Sequence, residues 1–181
     1  MGKYFLISTI AALISLNANG QAHVHGEGQL LVAQENDKWR FEFMLPAADV
    51  LGFEHKPETV EQKAKVASFI SSVEGYENVL SLPKSCSLVE TEHSLSDIYE
   101  REALHHDEHD KHGEHHDEHE NENSHSDVNF AYILKCENSI ESVSITLFDL
   151  APSLSALEAQ WITQSAQGMK EIDADDPTLV F

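Results

Sequence analysis

Positive charge is scarce in this sequence. Its 181 residues carry 11 Lys and Arg against 32 Asp and Glu, a formal net charge of −21. That deficit opposes the phosphate attraction on which nucleic-acid binding rests, and it opposes adsorption to anionic membranes. Methionine is limited to Met1, Met44 and Met169, with no clustering, which argues against a thioether site for Cu(I). Catalytic signatures are missing as well. There is no HExxH, since Asp117 follows His116 and no His stands three residues beyond Glu120, and there is no GxSxG. A non-enzymatic role is expected.

Long apolar runs are also lacking. The uncharged stretch from Tyr4 to Leu16 follows Lys3 and has 13 residues, whereas a hydrocarbon core needs about 20. A positive start, a short apolar run and then small residues describe a secretory signal. Cleavage fits after Gly20 or after Ala22, and Ala22 is favoured because Ala is the commoner last residue. The expected organisation is a signal peptide over 1–22 and a single domain over 23–181, exported and with no direct membrane anchor.

Cysteine occurs twice, at Cys86 and Cys136. In an oxidising compartment the pair reads as one disulfide. It would close a loop of about 50 residues, worth roughly 4 kcal/mol in the chain-entropy model. The alternative, two thiolate metal ligands, lacks the CxxC spacing of a thiolate zinc site.

The expected fold is α+β, mainly antiparallel sheet with one or two helices. Gln29–Gln34 is apolar, and Lys38–Leu45 alternates Trp39, Phe41, Phe43 and Leu45 with Lys38, Arg40 and Glu42. Glu35-Asn36-Asp37 supplies a turn, which predicts a hairpin. Pro57–Val73 reads as a helix with Val60, Ala64, Ala67, Ile70 and Val73 on its apolar face. Strands are expected at Cys86–Thr91, Val128–Cys136 and Ser142–Phe148. For Leu154–Lys170 a helix competes with strands at Ala159–Thr163 and Met169–Asp173. Trp161-Ile162-Thr163 favours the strands.

Histidine and acid are what the sequence has in excess, and they are concentrated. Residues 97–127 hold 12 acids against Arg101 and Lys111, and eight of the 12 histidines. The segment is too polar to offset its ordering entropy by burial, so a long disordered insertion at about 95–127 is expected. Within it, residues 105–120 read HHDEHDKHGEHHDEHE. Imidazole and carboxylate are the ligands of zinc, and imidazole also suits Cu(II) and Ni(II). His105, His106, His109, His112, His115, His116, His119 and His125 are therefore candidate ligands, assigned on composition. His105, His109, His112, His116 and His119 step by 4, 3, 4 and 3, so a helix would align them. Gly113 and the clustered charge oppose that helix without metal.

Four histidines lie outside the insertion. His23 and His25 would stand about 7 Å apart on one side of an extended strand, close enough to share a metal. With cleavage after Ala22, a free amine, two backbone nitrogens and the His25 imidazole would suit Cu(II) or Ni(II). His55 falls between strand and helix, where a helix-cap role competes with ligation. His93 ends the strand that begins near Cys86, at the root of the insertion. These four are candidates for an ordered site.

At these residues the chain resembles the ZrgA family of periplasmic zinc-uptake proteins. The matching features are His23-Val24-His25-Gly26 after the signal, Leu51-Gly52-Phe53-Glu54-His55-x-Pro57, and two cysteines flanking a His/Asp/Glu-rich insertion. Gln160-Trp161-Ile162-Thr163 followed by Gln167-Gly168 is similar too. The resemblance implies a zinc-binding component serving an inner-membrane ABC-type importer, and it favours strands in the last segment. The expected function is capture of Zn2+ by the His-rich loop and an ordered His site for delivery to that importer. The alternative is a periplasmic Cu2+ or Ni2+ protein acting in chaperoning or detoxification.

Overall fold

The computed structural model describes residues 25–95 and 126–181. The expected signal segment, His23 and the eight histidines from His105 to His125 lie outside the described residues, as do the expected disorder and the metal-induced helix.

Alternation builds the first hairpin. Strands β1 (Glu27–Glu35) and β2 (Lys38–Pro46) pair antiparallel from Gln29–Met44 to Glu35–Lys38. Asn36 turns the chain at φ 58°, a left-handed conformation that asparagine tolerates better than most residues. Trp39, Phe41, Phe43 and Leu45 are buried. On the opposite face Arg40 bonds Glu42 at 3.1 Å and Glu92 at 2.8 Å. The hydrogen bond from Arg40 holds the Glu92 carboxyl below its usual range.

The chain then forms helices α1 (Ala47–Leu51) and α2 (Val60–Val73). Three strands follow: β3 (Leu80–Ser81), β4 (Cys86–His93) and β5 (Asp127–Cys136). Last come β6 (Ser142–Ile145), β7 (Ala156–Ile162), β8 (Gln167–Asp173) and β9 (Thr178–Val180). The main sheet runs β4-β5-β2-β1-β7-β8, and β3-β6-β9 form a second, small sheet. The β4–β5 pair is antiparallel, and Cys86 and Cys136 are both register partners and disulfide-bonded. The β1–β7 pair is parallel, the exception in an otherwise antiparallel arrangement. Among the described residues no helix is long and apolar enough to cross a membrane.

Helix α2 covers the aromatic face of the sheet. Phe43 and Phe130 stack at 4.9 Å, and Phe69 meets Phe130 edge-on at 6.2 Å. Thr59 and Gln62 form a capping box that starts the helix. Of the expected face, Val73 is buried and Ile70 packs against the core, but Ala64 and Ala67 are exposed and Val60 is 78% exposed, while Val66 and Phe69 are buried in their place. Both stripes have helical spacing. The larger burial available to Phe69 and Val66 chooses the rotation.

Two other expectations change, and the open choice in the last segment resolves to the favoured strands. The expected strand Ser142–Phe148 ends at Ile145, and Leu147–Asp149 form a 3-10 turn. The short helix α1 follows Pro46, where only a strand end was expected. The ambiguous last segment is the β7–β8 hairpin, in which Trp161 pairs with Gly168. A Cβ at position 168 would collide with the Trp161 ring, so this close approach requires glycine.

Candidate functional site

The strand directions bring the histidine-bearing segments to one end of the main sheet. β1 begins there at Glu27, β2 ends there at Pro46, β4 ends there at His93, and β5 begins there at Asp127. His25 precedes β1, His55 follows α1, and the chain passes into and out of segment 96–125 at Leu95 and Ser126. The Cys86–Cys136 disulfide lies at the opposite end of the β4–β5 pair.

The border of that segment is fixed by backbone bonds. Ala47 N–H donates to Ser126 O at 2.9 Å and Ser94 N–H donates to Asn129 O at 2.9 Å. Asn129 N–H donates in turn to Ser94 Oγ at 3.2 Å. Beside this border is a cavity of about 450 Å3, lined by Phe53, Glu54, His55, Ser94, Ser126 and Asp127 among others. Carboxylate, imidazole and hydroxyl groups thus meet an apolar floor of Ala47, Leu51, Val66 and Val128.

Gly26 holds the start of β1 in place. Its φ is 85°, and a Cβ there would stand 2.9 Å from Ser155 Oγ, so the position demands glycine. Its N–H donates to Asp49 Oδ2 at 2.7 Å, and its carbonyl accepts from Ser155 N at 2.7 Å and Ala156 N at 3.0 Å. His25 is therefore attached to a clamped backbone. Its Nδ1 lies 3.7 Å from Glu54 Oε1.

His55 is engaged differently. Gln62 Oε1 accepts from Glu58 N at 2.8 Å and Thr59 N at 3.1 Å, which turns the Gln62 amide nitrogen toward His55 Nε2 at 3.0 Å. The amide donates, so His55 Nε2 accepts and the ring proton sits on Nδ1. The ring also rests 5.4 Å from Phe53. In this arrangement His55 extends the α2 cap, and its Nε2 is already occupied. His93 is half-buried at the end of β4, in register with Phe130 on the sheet face that α2 covers.

The expected ligands His25, His55 and His93 thus share one end of the sheet without converging on one point. Among the described residues no group of three or more His, Cys, Asp or Glu is placed to hold a metal ion. Glu54 and Asp49 were not singled out by sequence reasoning. Glu54 stands inside the Leu51–Pro57 motif, beside His55, but no spacing rule pairs it with a histidine 29 positions earlier.

Comparison with known proteins adds a family. The model of the ZrgA family zinc uptake protein matches residues 22–181. No curated protein matches the chain.

Proposed function

Since this chain belongs to the ZrgA family of zinc uptake proteins, we propose that it is a non-catalytic, periplasmic zinc-binding protein that captures Zn2+ and supplies it to an inner-membrane ABC-type importer. The observation that carries the reading is the gathering of histidine-bearing segments at one end of the sheet. His105, His106, His109, His112, His115, His116, His119 and His125 act as collectors, with adjacent acids raising the local cation concentration. His25, His55 and His93 belong to the rim of the ordered domain, and His23, two residues before His25 in the chain, is a further candidate ligand. The signal segment 1–22 provides export.

Collection by a His tract sets a pH dependence. Neutral imidazole binds metal and imidazolium does not, so zinc affinity falls as pH drops through about 6.5. Competition titration with a zinc chelator from pH 7.5 to pH 5 measures this, and constant affinity would contradict the reading. Native mass spectrometry of the chain with and without residues 105–120 counts the metals. Deletion should lower the stoichiometry and leave at least one zinc bound. Loss of all zinc would remove the ordered site, and a strong preference for Cu2+ or Ni2+ would favour the alternative.

A further inference from the structure

We propose that His25 and Glu54 are the two protein ligands of an ordered zinc-exchange station on the rim of the sheet, with Asp49 as its positioning residue. The proposal rests on the zinc-handling reading above and assigns to it a carboxylate that no motif identifies.

Geometry is the first support. His25 Nδ1 and Glu54 Oε1 stand 3.7 Å apart. Zinc binds nitrogen and carboxylate oxygen at roughly 2.0–2.2 Å each, so two ligands of one tetrahedral ion lie about 3.3 Å apart. Small side-chain rotations close the difference. The pair also faces solvent, with the His25 side chain 62% and Glu54 25% exposed, so an ion enters without opening the core.

Rigidity is the second support. Asp49, Ser155 and Ala156 bond both polar groups of the Gly26 backbone. Glu54 follows Phe53, which packs against the hydrophobic core. A donor beside a clamped backbone and one beside an anchored ring lose less entropy on binding than donors that must first be ordered. Two protein ligands also leave the other tetrahedral positions to water or to an incoming imidazole. Zinc can then arrive and leave by ligand exchange, as a protein that passes metal on requires. Glu54 further lines the cavity beside Ser94 and Ser126, where the chain enters and leaves segment 96–125.

The plainer explanation is a surface ion pair, which is worth little by itself. Long-range proton–nitrogen NMR of the imidazoles in the intact chain, titrated with zinc sulfate, separates the two. The station predicts that His25 Nδ1 takes the coordinated shift. Glu54→Gln should raise the zinc concentration needed for that shift about tenfold or more, and Asp49→Asn should raise it by a smaller factor. Other histidines should respond alike in all three chains. Amide spectra of β1, β2 and α2 confirm that the variants are folded, and the unmodified chain tests Nδ1 coordination without any variant. The station is overturned if His25 Nδ1 does not move at saturating zinc, or if Glu54→Gln titrates like the parent. Failure of the broader reading looks different, because then no histidine responds.

Discussion

Tyr132 joins the sheet to helix α2. Its hydroxyl donates to Val73 O at 2.7 Å, and burial pushes its ionisation well above the ordinary phenol range. The group therefore stays a donor at every pH used to study zinc. Tyr132→Phe deprives the last turn of α2 of this donor and should cost about 1–2 kcal/mol. Urea unfolding would show a lower midpoint at unchanged slope. Gly26→Ala is a sharper test at the same scale. A positive φ costs a non-glycine residue roughly 1–2 kcal/mol, and the new Cβ presses on Ser155 Oγ. The expected result is a lower Tm together with weaker zinc coordination at His25, because the backbone that positions the imidazole shifts. The zinc-uptake family was legible in the order of the short motifs. The approach of Glu54 to His25 was not, because it is made by tertiary structure across 29 residues of chain.

At the scale of elements, the disulfide and the histidine-bearing rim stand at opposite ends of the β4–β5 pair. Replacing both Cys86 and Cys136 by Ser opens a loop with a sequence separation of 50, and should cost up to about 4 kcal/mol. Zinc stoichiometry should be unchanged, since neither cysteine is near His25, Glu54 or His55. Native mass spectrometry of the double variant checks this, and a lost zinc would mean that the cysteines reach the metal. The β1–β2 hairpin and strand β5 were readable because each alternates along a half-buried face. Helix α2 was readable in extent but not in rotation, because Val60-Ala64-Ala67 and Val66-Phe69-Val73 share one period and only packing separates them. The short elements α1, β3 and β9 hold too few turns of any period to be seen. The parallel β1–β7 pairing joins segments far apart in the chain, and no local pattern encodes it.

Over the whole molecule, the proposed reading makes folding and metal capture separable. The core includes Trp39, Phe41, Phe43, Phe130 and Tyr132, all nearly inaccessible, and the disulfide adds to it. Small zinc domains whose folding depends on metal lack such a core. Treatment with chelator should therefore leave cooperative thermal unfolding intact, and a chain that loses its transition without zinc would contradict this. Zinc added back should raise Tm, but by less than its total binding implies. Stabilisation by a ligand requires that it bind the folded state in preference to the unfolded one, and it reaches about 2.7 kcal/mol at a hundredfold excess over Kd for one site. Imidazoles that act through composition are as available in the unfolded chain as in the folded one, so metal on them contributes nothing to that term. A station built from His25 and Glu54 exists only when β1 and the α1–α2 connection are in place, so its zinc contributes in full. For a domain of this size the expected rise is several degrees, at roughly 2–4 °C per kcal/mol. Glu54→Gln should remove most of it while native mass spectrometry still counts the remaining metals. Calorimetry on the two chains at matched free zinc makes the comparison, and an equal rise in both would assign the stabilising metal to some other part of the fold.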